Sequence, residues 1–256
     1  MFFKNKTLEA IGQAIFKRWF VEFEFPNEQG KPYKSSGGEM VESKLGEIPK
    51  DWKVDQLGIY VDNISGCSYT SNDLQESQTA LVTLKSIDRK GKFKQDGFKE
   101  YVGKYKESQV VKDGDIVVAH TDLTQNVEVL GSPALVSDLG KYKKMIASLD
   151  LSIVRPKKLL NLTYIYYLLK TNMFHSHAVG YSNGTTVIHL SKKAIPEFIF
   201  TVPEKNIIIK FEKIIGQTIQ LFRNNEKMIN TLQKTRDLLL PKLMSGKIRV
   251  SIEVRT

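Results

Sequence analysis

Between Lys85 and Phe98, cationic side chains surround aromatic ones: Lys85, Arg89, Lys90, Lys92 and Lys94 flank Phe93, with Phe98 just beyond. Ammonium and guanidinium groups displace counterions from phosphates, and arginine can pair bidentately with guanine, so this run is a candidate nucleic-acid contact. The same composition also suits a solvated loop. Downstream, His120-Thr121-Asp122-Leu123-Thr124-Gln125-Asn126 follows an apolar strand and offers His120, Thr121, Thr124, Gln125 and Asn126 as groups able to read base edges. Gln and Asn match adenine N6 and N7, although an ordinary turn would use the same residues. A third polar loop, Tyr181-Ser182-Asn183-Gly184-Thr185, offers Tyr181 and Asn183, again in a composition typical of turns. Lys141, Lys143 and Lys144 open a second basic segment.

Searches for catalytic constellations return little. No phosphate-cradling glycine loop ends in Lys-Ser/Thr, no dinucleotide fingerprint is present, and no serine elbow or amino-methyltransferase tetrapeptide occurs. His175 and His177 lie two apart on a predicted helix and therefore face different ways, which argues against a shared metal. His120 and His189 fall at predicted strand ends, where a satisfied or solvent-facing imidazole is the default. Glu42-Ser43-Lys44 superficially resembles half of a metal-dependent nuclease site, but it lies in a predicted linker rather than on a core strand. With Cys67 as the single cysteine, internal disulfides and paired-thiolate zinc sites are excluded, and a reducing compartment is the natural setting.

The net charge of +10 favours a polyanionic partner, because a summed positive field concentrates phosphates near the surface. Between Lys85 and Lys106 eight basic residues face three acidic ones, and between Lys141 and Lys158 six face one, so the excess is clustered. Hydrophobic residues at 41% and charged residues at 26% are ordinary for a globular chain. Neither an apolar leader nor a membrane-length apolar run is visible, so a cytoplasmic protein with no membrane contact is expected.

The elements that must position these groups read as α+β. Residues 1–25 form an N-terminal helical segment in which Leu8, Ile11, Ile15 and Trp19 recur at helical spacing over 7–20. Residues 26–44 are rich in Pro, Gly and Ser and are expected to be a linker without a core. Residues 45–202 form a mixed α/β domain, with strands expected near 80–84, 115–119, 127–130, 134–137, 148–154, 186–190 and 198–202, and a helix over 161–174 with Asn161 as N-cap. Residues 203–246 form a long helix of about 55 Å, ahead of a tail at 247–256. Its apolar seam runs through Ile208, Phe211, Ile215, Phe222, Ile229, Leu232, Leu239 and Leu243, coiled-coil-like in spacing. Pro241 marks an expected kink and Gly246 an end.

Taken in order, several segments carry a family resemblance. They are Gly46-Glu47-Ile48-Pro49-Lys50-Asp51-Trp52-Lys53-Val54, then Val111-Lys112-Asp113-Gly114-Asp115-Ile116-Val117-Val118, then Gly180 with Gly184-Thr185-Thr186, Leu190, Ile195-Pro196 and Val202-Pro203, and finally Leu238-Leu239-Leu240-Pro241-Lys242-Leu243-Met244-Ser245-Gly246-Lys247-Ile248. This series resembles the opening, central strand and helical exit of a target-recognition domain in the specificity subunits of type I restriction-modification systems. Ala14-Ile15-Phe16-Lys17-Arg18-Trp19-Phe20-Val21 is similar to the tail of that family's central helix. The resemblance covers nearly the whole chain, with one departure: the family normally carries two recognition domains joined by two long antiparallel helices. This chain looks like a C-terminal half.

The resemblance implies a non-catalytic subunit that reads one half of a split double-stranded DNA target and docks DNA methyltransferase subunits, with a restriction-translocation subunit completing the complex. It implies no cofactor on this chain, S-adenosylmethionine and ATP/Mg belonging to the partner subunits. No base contact carries over residue by residue. The unmatched seam of the long helix, which an N-terminal helix of roughly 20 Å covers only in part, leads to the expectation of a homodimer. Two other classes stand beside this reading: a helical assembly or dimerisation module that does not read DNA, and a solitary nuclease built on the Glu42–Lys44 stretch.

Overall fold

The computed structural model describes residues 2–88, 91–122, 127–138, 140–157, 159–184 and 186–248. The chain opens with α1 (Phe2–Phe16), which passes directly into a π-helical turn at Lys17–Val21. The hairpin β1 (Met40–Ser43) and β2 (Gly46–Pro49) precedes β3 (Lys53–Gln56) and β4 (Val61–Ser65). Next come β5 (Thr79–Val82), β6 (Lys99–Glu100), β7 (Val110–Val111), β8 (Ile116–Ala119), β9 (Thr121–Asp122) and β10 (Pro133–Leu135). After β11 (Lys144–Ala147) and β12 (Leu151–Pro156), two helices follow, α2 (Leu162–Leu169) and α3 (Asn172–Gly180). The chain closes with β13 (Ser182–Asn183), β14 (Ile188–Leu190), β15 (Ile199–Val202) and the 40-residue α4 (Lys205–Met244).

Two four-stranded sheets, ordered β10-β8-β12-β4 and β6-β5-β11-β7, form the centre of the α+β domain. Side chains alternate across a strand, and here the alternation sorts them into separate cores. Val117 and Ala119 of β8, with Leu151 and Ile153 of β12, meet Ala80 and Val82 of β5 and Met145 and Ala147 of β11 between the sheets. On the opposite side of the first sheet, Ile116, Val118 and Val154 join the helices in a larger cluster. On the outer side of the second sheet, Leu81 and Ile146 pack with Cys67 and Tyr101 in a small one. Burial on both faces explains why β8 reads as a continuous apolar run. The short third sheet, β13-β14-β9, projects two of the polar loops singled out above.

The helical side is built on aromatic rings. Phe211 of α4 is fully buried and lies 5.7 Å from Phe16, 5.1 Å from Phe20 and 6.0 Å from Tyr167 of α2, ring centre to ring centre. Gly12 lets α1 approach α2 closely, since a Cβ there would collide with the Tyr167 hydroxyl. Lys170, whose side chain is only 9% exposed, pairs with Glu9 at 2.6 Å, and Tyr166 donates its hydroxyl to the same carboxylate oxygen. α1, α2 and the first turns of α4 therefore form one packed unit.

Several expectations are corrected. The buried face of the N-terminal helix runs through Gly12, Phe16, Trp19 and Phe20, whereas Ile11 is exposed; bulk at Phe16 and the close approach at Gly12 outweigh the aliphatic spacing. Residues 26–44 hold β1, and Tyr33 stacks on Phe25 at 4.6 Å, which stacks in turn on Trp52 at 5.2 Å. The expected strand at 127–130 is absent, because the Asp122 carboxylate accepts the Val129 and Leu130 amides and holds that segment as a turn. The expected helix over 161–174 is two helices. Asn161 caps the first, accepting from the Tyr164 amide at 2.8 Å, and the Thr171 hydroxyl caps the second. α4 continues through Pro241 to Met244, and Gly246 follows with φ +70°.

Candidate nucleic-acid interface

The described ends of the first basic run are brought together. Ile87 and Phe93 form an antiparallel bridge, and the Asp88 carboxylate accepts the Lys92 amide at 2.9 Å. Phe93 is buried and packs on half-buried Phe98 at 5.8 Å, so both rings pack against the core between the sheets. Lys92 reaches α4 and pairs with Glu226 at 2.7 Å; Lys94 lies 3.6 Å from Asp96. Lys85 is exposed, while Arg89 and Lys90 fall outside the described residues. The loop faces a cleft of about 500 Å³ whose far wall is α4, at Glu226, Ile229, Asn230 and Gln233.

The polar loop after β8 divides. Thr124, Gln125 and Asn126 lie outside the described residues. His120 and Thr121 are each only 7% exposed, which removes them from the surface that could meet a base. Burial, seconded by the charge of Lys192, pushes the His120 imidazole down to about 4, so it is neutral at physiological pH. Thr121 donates to Asp150, and Asp122 is committed to the turn described above. Tyr181 is half-buried, stacked on His177 at 4.5 Å and donating to Glu197 at 2.8 Å; Asn183 is exposed on β13 opposite His189. The second basic segment is exposed: Lys141 lies over the Tyr142 ring, Lys143 reaches solvent, and Lys144 sits beside Tyr105 and Glu107.

Two arrangements escaped sequence reasoning. The turn between β7 and β8 is clamped to α4, because Asp113 accepts from Arg223 at 2.6 Å and from Lys227 at 3.0 Å. Burial works to raise the Asp113 carboxyl, but the Asp138 amide, Lys227 and Arg223 together outweigh it and hold the group below the ordinary carboxylate range. The next residues reinforce the turn. Gly114 adopts φ +90° with the Arg223 guanidinium against it, and Asp115 binds Arg155 through two hydrogen bonds, one of 2.6 Å. The second arrangement is a cleft of about 630 Å³ between the end of β4 and the loop before β7, bordered by Lys104, Lys106 and Lys192.

Along the seam of α4, Ile208, Phe211 and Ile215 are buried, joined by Ile219; Phe222 and Ile229 are half-buried; Leu232, Leu239 and Leu243 are exposed. His177 bonds the Ala194 carbonyl at 2.8 Å. Glu42 is an exposed residue of the β1–β2 hairpin, opposite Glu47. Among the described residues no group of three His, Cys, Asp or Glu side chains could hold a metal ion, and no helix is long and apolar enough to cross a membrane.

No protein-family model matches the chain. It is 27% identical, over 96% of its length, to the type I restriction enzyme MjaIX specificity subunit of Methanocaldococcus jannaschii, of which it covers 54%. It is 23% identical to the MjaVIII specificity subunit of the same organism, covering 96% of this chain and 56% of that protein. The chain thus spans about half the length of these curated relatives. In fold it matches the crystal structure of a type I restriction-modification system S subunit from M. genitalium, with a TM-score of 0.50 at 17% identity, over 81% of this chain and 49% of that one. Along nearly its whole length, the chain is similar to one half of a type I restriction enzyme specificity subunit.

Proposed function

We propose that this chain is a non-catalytic DNA-recognition subunit that reads one half-site of a split target and serves a type I restriction-modification complex. The observation that carries this reading is the similarity to specificity subunits over 96% of the chain, in which one α+β domain is followed by one long helix. Phosphate contacts from exposed lysines orient the domain, and the polar loops carried by β9, β13 and β14 specify the bases. DNA methyltransferase subunits and a restriction-translocation subunit dock on the complex and bring S-adenosylmethionine and ATP/Mg; the setting is the cytoplasm. A second copy completes the assembly. The seam of α4 beyond Ile219 exposes Leu232, Leu239 and Leu243, with Leu238 and Met244 beside them, a strip of a kind that monomers seldom leave open. Two copies about a two-fold axis cover it and present two identical domains, which must then read inverted repeats.

Selection of bound duplexes from a randomised pool tests the reading. The expected result is an interrupted palindrome at a fixed spacing. Enrichment of no sequence refutes DNA reading, and enrichment of a single unrepeated site refutes the dimer.

A further inference from the structure

We infer that the cleft between the end of β4 and the loop before β7 is where the protein grips a DNA phosphate backbone, with Lys104, Lys106 and Lys192 as the phosphate ligands; the inference rests on the DNA-binding reading above. Cations from two distant parts of the chain converge here. Lys104 and Lys106 lie on the loop before β7, and Lys192 follows β14 by two residues. All three are exposed, none forms a salt bridge among the described residues, and no Asp or Glu lines the cleft. The lysines of the 85–94 loop differ in kind, since Lys92 and Lys94 already have carboxylate neighbours.

The walls are braced. Tyr101, 2% exposed, donates to the Lys104 carbonyl at 2.8 Å and so fixes the backbone that carries that lysine. Gln109 ties the other wall: its amide donates to the Ser65 carbonyl at 3.1 Å while its oxygen accepts the Lys106 amide at 2.9 Å. The floor stays at backbone level because Gly66 lies against the Ser148 carbonyl, where a Cβ would collide. An open trough of about 630 Å³ with a rigid floor and three uncompensated ammonium groups suits a run of phosphodiesters, which need cations in register and little shape discrimination.

Its position gives the grip a use. Asn63 donates to the Lys192 carbonyl at 3.3 Å, linking the end of β14 to β4. The sheet in which β14 is the central strand, between β13 and β9, also carries Asn183 and the start of the loop after β9. A strand held at Lys192 therefore lies beside the sheet that carries Asn183.

The test is the salt dependence of duplex binding by the full chain, measured by fluorescence anisotropy on a mixed-sequence duplex. Each lost phosphate contact lowers the slope of log K against log salt by ~0.9, so K104Q/K106Q/K192Q should flatten it by roughly 2.7. Between about 50 and about 200 mM salt, the variant should then lose roughly 40-fold less affinity than the parent. The single variants K104Q and K192Q should each give about one third of the change, and K17Q/K50Q, at lysines already paired with Glu22 and Glu39, should leave the slope as it was. An unaltered slope in a triple variant with parental circular dichroism and thermal midpoint overturns the cleft and leaves DNA reading intact. A parent chain that shows no salt-dependent duplex binding overturns both.

Discussion

Replacing Asp113 by alanine tests whether α4 is held at a defined angle to the domain. The carboxylate joins the β7–β8 turn to α4 through Arg223, whose side chain is 19% exposed, and through the more exposed Lys227, and it also accepts the Asp138 amide. A hydrogen bond between charged groups is worth about 1.5–3 kcal/mol when partly shielded, whereas an exposed lysine pair contributes well under about 1 kcal/mol. Arg223 has a further difficulty in the variant, because its Nε is buried without a hydrogen-bond partner even in the parent. Asp113→Ala should therefore cost about 3 kcal/mol in urea unfolding, and a cycle with Arg223→Gln should show coupling of about 2 kcal/mol. Acid provides a second signature. The folded carboxyl lies below its ordinary value, so its contribution is complete above the unfolded-state value of about 4 and disappears as pH falls through the lower folded one. The parent should lose this increment in that acid window, and Asp113→Ala should show no such loss. Additive single effects, within about 0.5 kcal/mol, would refute the clamp. On the proposed dimer, the variant should also accept a wider range of spacer lengths.

Phe211→Ala removes the ring on which α1, α2 and α4 converge and should destabilise the fold by about 3–5 kcal/mol in denaturant titration; a loss under about 1 kcal/mol would mean that α1 is not docked on α4. Phe222→Glu with Ile229→Glu places charge on the half-buried part of the seam, and light scattering at micromolar concentration should shift from dimer to monomer, with weak half-site binding retained. An unchanged mass would exclude this face as the contact between copies.

The parts of the fold legible in the sequence are those set by local chemistry. Residues 115–119 read as a strand because β-branched side chains suit both faces of a buried strand, and β8 lies there. Asn161 read as an N-cap, and its side chain makes the capping bond. α4 stood out through its apolar period. The misread segments were decided by partners distant in the chain. Valine and leucine at 127–130 have strand composition, yet one buried carboxylate at Asp122 captures two of their amides. Pro, Gly and Ser at 26–44 conceal Tyr33, which finds Phe25 and, through it, Trp52. Leu8, Ile11, Ile15 and Trp19 mark a face by period; Trp19 is buried and Ile15 packs against the core, while Ile11 is exposed because the aromatic partner of this segment meets Phe16 and Phe20.

The candidate site was less legible for a related reason: a lysine's electrostatic use depends on which acids the fold brings near it, and the sequence interval does not report that. The 85–94 run has the highest local density of positive charge, but Glu226 of α4 and Asp96 lie against two of its ammonium groups. Lys104 and Lys106 belong to the same excess, counted between Lys85 and Lys106, and among the described residues they form no salt bridge, since their loop lies beside the end of β4 and no Asp or Glu lines the cleft there. Lys192 carries no sequence signal at all, as its neighbours are Ser191 and Lys193 in a turn. It joins the others because β14 pairs with β9 and Asn63 holds the segment beyond it. His120 shows the same principle in reverse. As a polar residue after a strand it read as a base contact, yet the strand it follows is buried on both faces and the first residues beyond remain inside. On the proposed reading, Asn183 is an exposed polar group of the β13-β14-β9 sheet, and the lysine cleft beside the end of β4 sets where the backbone lies.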